Sequence, residues 1–358
     1  MTTQEGMQAS DIIIRKEGRA GRITLNRPQA LNAVTHDQVV AIEKALDGWS
    51  DDEDVQLVML DGAGGKALCA GGDVISLYKN RADGGDLAAR FWRAEYRLNA
   101  MINRYPKPYV AMMNGIVMGG GIGLSAHGSH RIVSDNSMLA MPETMIGLIP
   151  DVGGLWLLAH APGYMGEYFG LLGERMGAAD ALYANFADTF IAREKQDAFI
   201  SALADPEGDP IGVSVAAFAS APPPAVHASR QDEIDRIFAA PTVEDIKAAL
   251  EASTADWTEH ACKVLSVRSP LALKLTLAGI RQVRQKARAL EDSLNLEYRL
   301  TTRLYESSEF LEGVRALLID KDKAPKWTLP TLDAVDEETL AHYLAPLTKR
   351  DELGLSAQ

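Results

Sequence analysis

The chain has 358 residues, of which 47% are hydrophobic and 24% are charged, as expected for a globular protein with a substantial core. Its formal net charge of -13 at pH 7 argues against non-specific binding to nucleic acid or to an anionic membrane, because both need a basic surface. Only two cysteines are present, which excludes a disulfide framework and a cysteine-rich metal site. The first ten residues contain no apolar segment and no arginine, so we expect neither a signal nor a transit peptide, and a cytoplasmic location.

The N-terminal half of the chain alternates between strand and helix patterns. Two β-branched runs at 11–15 and 22–25, separated by glycines, predict a hairpin. Thr35 and Gln38 form the pattern of a capping box at the start of an amphipathic helix. Further strands are predicted at 55–60, 109–113 and 130–133, and a long helix at 86–104. This alternation predicts an α/β core.

The uncharged stretch at 109–126 is long enough to span a membrane. However, it contains Asn114 and five glycines between Gly115 and Gly123, and glycines weaken a helix interior. We therefore predict a buried strand, a turn and a short buried helix.

Helical patterns predominate after residue 200. Prolines at 222–224 mark an irregular connection, and helix-periodic segments follow at 243–250, 257–265, 271–280 and 287–305. The sequence thus predicts two regions, an α/β core at 11–200 and a helical C-terminal region at 201–345.

The stretch from Gly119 to Gly154 combines glycine turns with two acids. Three consecutive glycines starting at Gly119 predict a tight turn or a close backbone approach. Glu143 and Asp151 each follow a proline, which restricts the backbone on both sides. Taken alone, the two acids are more typical of helix capping or a surface salt bridge. A second turn at Ala70-Gly71 changes this balance, because two backbone donors beside a held acid outline an acyl-transfer site.

Other catalytic motifs fail on single positions. Lys66 follows a glycine loop but precedes alanine, unlike a phosphate-binding loop, and Leu124 occupies the third glycine of a dinucleotide fingerprint. Ser125 lacks the final glycine of a nucleophile elbow, because His127 stands there. The histidines show no metal-ligand spacing, so we expect no metal site.

Several segments resemble the crotonase (enoyl-CoA hydratase/isomerase) superfamily. They are Asn26-Arg27-Pro28, Ala30-Leu31-Asn32, Cys69-Ala70-Gly71-Gly72-Asp73, and Asn114-Gly115 leading to Gly119-Gly120-Gly121. Further segments resemble the branch of that superfamily whose members hydrolyse 3-hydroxyisobutyryl-CoA in valine catabolism. These are 127–128, 141–144, 149–154, 269–274, 297–300, 312–316 and 321–323. The likeness covers roughly residues 11 to 345. It implies a crotonase-like ββα spiral core with a helical C-terminal region.

The resemblance also implies a site. The N–H groups of Ala70 and Gly120 would form the oxyanion hole for a thioester carbonyl, and Glu143 and Asp151 would be the catalytic acids. Further substrate-binding positions implied by the resemblance are Glu95, Ala30, Leu31, Gly71 and Asp73. The substrate would be an acyl-CoA, and no separate cofactor is implied because coenzyme A is part of that substrate. Relatives of this type often form trimers or hexamers, so the resemblance also implies a homo-oligomer.

Two other functions are weighed against hydrolysis. Hydratases and isomerases of the superfamily carry a catalytic glutamate where this chain has Gly123, and a glycine where it has Asp151; hydration of an enoyl-CoA needs the missing acid. A non-catalytic or RNA-associated relative conflicts with the retained acids and the negative charge. Leu155-Trp156 departs from the hydrolase pattern and leaves the acyl preference open. Whether Glu143 attacks the carbonyl or activates water is also open.

Overall fold

The computed structural model describes residues 10–357, whose strands form two β-sheets. The strands are β1 (Ile12–Glu17), β2 (Ala20–Leu25), β3 (Leu57–Gly62), β4 (Ala67–Cys69), β5 (Tyr109–Met112), β6 (Ile116–Met118), β7 (His130–Val133), β8 (Met138–Ala140) and β9 (Thr189–Phe190). The larger sheet has the order β1-β2-β3-β5-β7-β9, and the smaller has the order β4-β6-β8. Only the β1-β2 hairpin is antiparallel among these strand pairs.

Successive strand pairs build a repeating ββα unit. In each of β3-β4, β5-β6 and β7-β8, the first strand joins the larger sheet and the second joins the smaller one. At least one helix follows each pair before the chain goes on. The chain therefore winds as a spiral between the two sheets, which confirms the ββα core implied by the resemblance.

Helices cover both sheets and form most of the C-terminal region. They are α1 (His36–Ser50), α2 (Val74–Ala82), α3 (Leu87–Asn103), α4 (Gly120–Ser125), α5 (Gly154–Ala159), α6 (Met165–Leu172), α7 (Ala178–Tyr183), α8 (Gln196–Ala204), α9 (Ile211–Phe218), α10 (Gln231–Phe238), α11 (Val243–Ala252), α12 (Thr258–Leu265), α13 (Pro270–Lys286), α14 (Leu290–Glu306), α15 (Ser308–Val314) and α16 (Glu337–Leu344). Across residues 10–357, none of these helices combines the length and the apolarity needed to cross a bilayer.

The structure contains the elements for which the local sequence patterns were strongest. The Thr35 hydroxyl accepts from the Gln38 N–H at 3.3 Å, and the Gln38 side chain accepts from the Thr35 N–H at 2.9 Å, so the predicted capping box starts α1. The stretch 109–126 contains the predicted strand, β5, and the predicted short helix, α4, and it also contains a second strand, β6, that was not predicted. The four predicted C-terminal helices correspond to α11, α12, α13 and α14.

The two predicted regions share one hydrophobic core. A single cluster of buried side chains runs from Ile23 in β2 to Leu353 near the C-terminus. Within it, α13 packs against α5 and α6, and α14 packs against α3. The other face of the larger sheet is covered by α8 and α9, where Phe199 contributes to a separate apolar cluster. The C-terminal helices are thus built onto the core and lie close to its loops.

A buried ion pair joins the core to α13. Glu167 of α6 is fully buried, and both of its oxygens accept from the Arg284 guanidinium, at 2.5 and 2.8 Å. The Arg284 side chain remains 30% exposed, so water partly compensates it if its partner is lost.

We expect Glu167→Gln to lower the free energy of unfolding by about 2 kcal/mol, because one charged hydrogen bond is lost beside a half-buried guanidinium. Urea unfolding monitored by circular dichroism measures this change. The matched control is Glu259→Gln, which removes an exposed helical pair with Lys263; exposed pairs contribute little. Equal effects of the two substitutions would show that the pair does not hold α13 to the core.

Candidate active site

One cavity of about 210 Å³ lies between the glycine turns and the C-terminal helices. Its walls combine backbone turns, three acids and apolar side chains from both regions of the chain. The turns and acids that line it are Ala70, Gly71, Gly72, Gly119, Gly120, Glu95, Glu143 and Asp151. Leu317 and Leu318, from a π-helical turn at Arg315–Ile319, supply an apolar wall. The structure thus brings the predicted acids and both predicted turns to one place.

The two glycine turns face each other across this cavity. Gly119 has φ 47° and ψ -120°, a conformation available essentially to glycine alone. The next residue, Gly120, begins α4, so its N–H has no acceptor within the helix. A Cβ placed on Gly120 would lie 3.2 Å from the Gly72 nitrogen and 2.6 Å from Glu95 Oε1. The backbone nitrogens of Gly72 and Gly120 and the carboxyl group of Glu95 therefore lie close together.

The donor predicted at Ala70 is already used within the fold. Its N–H donates to the Leu31 carbonyl at 3.0 Å, so the prediction that it faces the substrate is corrected. The Val34 N–H donates to the Gly71 carbonyl at 2.9 Å, and the Asp73 N–H donates to the Val34 carbonyl at 2.8 Å. Gly72 lies between these bonds and, in an extended chain, points its N–H to the opposite side. Among residues 10–357 that N–H makes no hydrogen bond, which leaves Gly72 and Gly120 as the donor pair.

Glu143 and Glu95 present unpartnered oxygens to the cavity. Glu143 begins the 3₁₀ turn after Pro142, and a Cβ on Gly119 would lie 2.9 Å from its Oε1. Within the described chain, Glu143 Oε2 and Glu95 Oε1 are buried and make no hydrogen bond. Burial, and next the charge of Asp151, raise the pKa of both carboxyl groups well above the usual value. In both side chains the protonated form is therefore favoured more than in a solvent-exposed glutamate.

Asp151 has a dedicated hydrogen-bond donor. Its Oδ2 accepts from the Tyr96 hydroxyl at 2.6 Å, and that hydroxyl also lies 3.0 Å from the Thr301 hydroxyl of α14. Burial raises the pKa of Asp151 to about 6, and the hydrogen bond from Tyr96 opposes this effect. Sequence reasoning missed Tyr96 and Thr301. The only signal for Tyr96 was its place beside Glu95 in a helix, where a buried phenol needs a partner.

The backbone after Asp151 is strained and held on both sides. Val152 has φ 55° and Gly153 has φ 81°, values that a β-branched residue such as valine rarely adopts. His127 Nε2 lies 2.7 Å from the Val152 carbonyl, so this nitrogen carries a proton and the ring is neutral. Burial lowers the pKa of His127 to about 4. The Ser125 hydroxyl donates to the Gly121 carbonyl at 2.6 Å, so neither residue acts as a nucleophile or base here.

Three predicted substrate-binding residues lie outside the cavity lining, whereas Glu95 and Gly71 are in it. Asp73 caps α2 by accepting from the Ser76 N–H at 3.2 Å and pairs with Arg27 at 3.0 Å. Ala30 and Leu31 belong to the loop whose Leu31 carbonyl receives the Ala70 N–H. Contacts of these three residues with the more distant parts of a substrate stay a prediction.

Gly123 is closed to any side chain. A Cβ at this position would lie 2.6 Å from Val152 Cβ and 2.8 Å from Asn99 Nδ2. Both neighbours are buried, so neither can move aside into solvent. The place at which a second glutamate would enter the cavity is thus filled by packing.

The chain is similar to known proteins along most of its length. The family described as "Enoyl-CoA hydratase/isomerase" matches residues 20–344. The 3-hydroxyisobutyryl-CoA hydrolase, mitochondrial, of Danio rerio is 39% identical over 351 residues, covering 96% of this chain and 91% of that protein. A crystal structure of a carnitinyl-CoA dehydratase from Mycobacterium thermoresistibile superposes with a TM-score of 0.91 at 43% identity, covering 97% of this chain and 99% of that one. A crystal structure of an enoyl-CoA hydratase from Rhodobacter sphaeroides 2.4.1 also gives 0.91, at 45% identity, with 97% and 100% covered.

We expect Tyr96→Phe to raise the pKa of Asp151 further above about 6. The phenol O–H stabilises the carboxylate form, so its removal favours the protonated form. A carbon-13 NMR titration of labelled aspartate side chains measures this pKa. Tyr298→Phe, a buried tyrosine on α14 that contacts the Tyr96 ring edge to face, is the matched control. An unchanged pKa in Tyr96→Phe would remove Tyr96 from the site's electrostatics.

We also expect Glu143→Gln to stabilise the fold at pH 8 but not at pH 5. The folded-state pKa of Glu143 is raised above its unfolded value, so the folded chain binds the extra proton and stability falls as pH rises through this window. Glutamine carries no charge to bury and avoids that loss. Urea unfolding midpoints at both pH values measure the effect, with Glu259→Gln as the exposed control. A variant that is less stable than the wild type at pH 8 would contradict the raised pKa.

Proposed function

The chain belongs to the enoyl-CoA hydratase/isomerase family, and from this premise we propose that it hydrolyses the thioester of 3-hydroxyisobutyryl-CoA, or of a close short 3-hydroxyacyl-CoA, to the free acid and CoA. The observation that carries this proposal is one cavity lined by Gly72, Gly120 and Glu143. Among residues 10–357, the two glycine N–H groups and Glu143 Oε2 have no hydrogen-bond partner. The 39% identity to a protein named for this reaction supports the same substrate. The reaction would serve valine catabolism.

The donor pair would act on the thioester carbonyl. As an oxygen nucleophile adds to the carbonyl carbon, negative charge develops on the carbonyl oxygen. The N–H groups of Gly72 and Gly120 would donate to that oxygen in a cavity with little water, where such donors are most effective. Loss of one donor of this kind typically costs about 3 kcal/mol of transition-state stabilisation.

Glu143 would supply or activate the nucleophile. In one route its carboxylate adds to the carbonyl, the C–S bond breaks to release the CoA thiolate, and water then hydrolyses the resulting anhydride. In the other route it removes a proton from water, whose oxygen adds to the carbonyl before the C–S bond breaks. Both routes consume one water and leave one carboxylic acid and one thiol. Both also require Glu143 to be ionised, so activity should rise with pH through its raised pKa.

Asp151 would hold the substrate's 3-hydroxyl group and exchange a proton at the departing sulfur. Its pKa of about 6 allows both protonation states near neutral pH, as this exchange requires. Tyr96 fixes one carboxylate oxygen and leaves the other for the substrate.

Relatives with high similarity carry names of two reactions, thioester hydrolysis and hydration or dehydration. Addition of water across a double bond needs two acids that flank it. At position 123, where hydratases that resemble this chain carry one of that pair, the packing of Val152 and Asn99 excludes a side chain. Hydrolysis is therefore the activity that this site supports best, and hydration of an enoyl-CoA is the second candidate.

We also propose that the protein acts in the cytoplasm, although the similar protein from Danio rerio is named as mitochondrial. Cys69 and Cys262 are both free thiols, which is typical of a reducing compartment. Assembly into trimers or hexamers stays a prediction that light scattering tests.

We expect Glu143→Gln to lower the rate of CoA release from 3-hydroxyisobutyryl-CoA by about 10²–10⁴-fold, because glutamine can neither attack nor accept a proton. A thiol reagent measures the free CoA. Glu259→Gln, far from the cavity in α12, should match the wild type. Equal rates for wild type and Glu143→Gln would remove Glu143 from the reaction.

Two further measurements separate the alternatives. Loss of the conjugated thioester absorbance of crotonyl-CoA, without CoA release, would establish the hydratase in place of the hydrolase. After a single turnover in oxygen-18 water, label in the Glu143 side chain supports the anhydride route, because the general-base route forms no bond to that carboxyl group.

A further inference from the structure

A buried acid outside the cavity holds the turn that carries Asp151. Glu297 of α14 is fully buried and does not line the cavity. Its Oε2 accepts from the Gly153 N–H at 2.6 Å, and its Oε1 accepts from the Leu155 N–H at 3.0 Å and from the Ser293 hydroxyl at 2.8 Å. All three partners are donors. Burial raises the pKa of Glu297 to about 8, and these three hydrogen bonds oppose that effect. The proposed reaction leaves this residue without a role.

Glu297 and His127 grip the same peptide unit from opposite ends. The carbonyl of Val152 accepts from His127 at 2.7 Å, and the N–H of the same peptide, on Gly153, donates to Glu297. This peptide joins the two residues with positive φ that directly follow Asp151. Residues in such conformations persist only where their surroundings hold them. The two buried side chains provide that hold.

The same face of α14 reaches Asp151 by a second route. Ser293, Glu297 and Thr301 are spaced four residues apart. They therefore form one polar stripe on the buried face of α14. Thr301 contacts the Tyr96 hydroxyl, which donates to Asp151. The stripe therefore holds both the carboxylate of Asp151 and the backbone that follows it.

We propose that Glu297 is a positioning residue for the reaction: through the Gly153 and Leu155 amides it fixes the direction in which Asp151 enters the cavity. A simpler role is a remote cap for α5, whose first N–H groups it binds. The two roles differ in what they affect. A cap contributes to the stability of the fold, whereas a positioning residue also controls the turnover of bound substrate.

The test compares Glu297→Gln with Glu291→Gln, a control on the same helix. Glu291 is 3% exposed and pairs with Arg104 at 3.3 Å, so its substitution also replaces a buried carboxyl group of α14. Glutamine has the shape of glutamate but turns one acceptor oxygen into a donor NH₂, which opposes the Gly153 or the Leu155 N–H. Midpoints of thermal unfolding are measured for both variants.

We expect kcat for 3-hydroxyisobutyryl-CoA to fall by about 100-fold in Glu297→Gln, because small misplacement of a catalytic group has effects of this size. KM should rise by a smaller factor than kcat falls, because Asp151 holds only the 3-hydroxyl group of the substrate. Glu297→Asp, which keeps both acceptor oxygens but shortens the reach, should recover part of kcat. The proposal would be overturned if kcat of Glu297→Gln lay within threefold of kcat of Glu291→Gln. It would also be overturned if both variants lost the same kcat and the same unfolding midpoint.

Amide hydrogen exchange gives a readout that does not depend on the reaction. Exchange at Gly153 and Leu155 should accelerate at least tenfold in Glu297→Gln and remain at the wild-type rate in Glu291→Gln. Unchanged exchange at both amides would overturn the proposal. If Glu297→Gln does not fold, Ser293→Ala takes its place: it removes one donor to Glu297, and we expect a fall in kcat of several-fold and a smaller rise in KM, with no change in kcat as the overturning result.

This inference rests on the proposed hydrolysis, and the design separates their failures. Absence of CoA release by the wild-type protein would contradict the proposed hydrolysis. The hydrogen-exchange comparison at Gly153 and Leu155 would still test whether Glu297 holds the turn. Normal CoA release by the wild type together with a fully active Glu297→Gln would sink only the positioning role.

Discussion

The structure depends on the burial of three carboxyl groups around one small cavity. Glu95, Glu143 and Asp151 are all nearly inaccessible to solvent, and among the described residues none of them forms an ion pair with a cation. Removing charge from water without a counter-ion is costly. Burial raises the pKa of all three groups, and the charge of Asp151 raises those of Glu95 and Glu143 further. Stability alone would disfavour three buried carboxyl groups without counter-ions. Their presence therefore indicates a functional site.

The C-terminal helices complete the site and do more than cover it. Leu317 and Leu318 close one wall, from a π-helical turn of a kind that is frequent at functional sites. Thr301 and Glu297 reach the neighbourhood of Asp151 from the buried face of α14. The ββα core by itself would hold the two backbone donors and the acids but would leave Asp151 without its outer supports. The C-terminal helices and the ββα core share one hydrophobic core, so the site depends on both regions.

The fold alone does not decide between reactions, because structures named as a dehydratase and a hydratase superpose on a chain that is 39% identical to a protein named as a hydrolase. The difference lies in which positions around the donor pair carry acids. Here Asp151 enters the cavity on a strained turn, and the packing of Val152 from that same turn fills the space beside Gly123. The turn that brings in one acid thereby excludes another. One local backbone conformation thus both places Asp151 in the cavity and leaves no room for a side chain at Gly123.

Local patterns in the sequence were sufficient to predict several of the elements and to mark the two acids as candidates. The capping box at Thr35, the division of 109–126 by glycines and the proline-flanked pair Glu143 and Asp151 depend on neighbours in the chain, so they were visible before the fold was known. The glycines also predicted the two turns, and the resemblance added the spiral core and the roles of individual amides. It misplaced one donor at Ala70, because an amide's availability depends on whether a distant carbonyl, here that of Leu31, accepts from it.

Only the tertiary structure decided the rest. Tyr96, Thr301 and Glu297 act on Asp151 across separations of 55 residues or more in sequence, and no local period records such contacts. The raised pKa values belong to the same class, since they arise from burial and from neighbouring charges. The sequence by itself determined which residues could do chemistry and on which elements they lie. Packing between distant elements decided which of their groups are free, which are held and which are ionised.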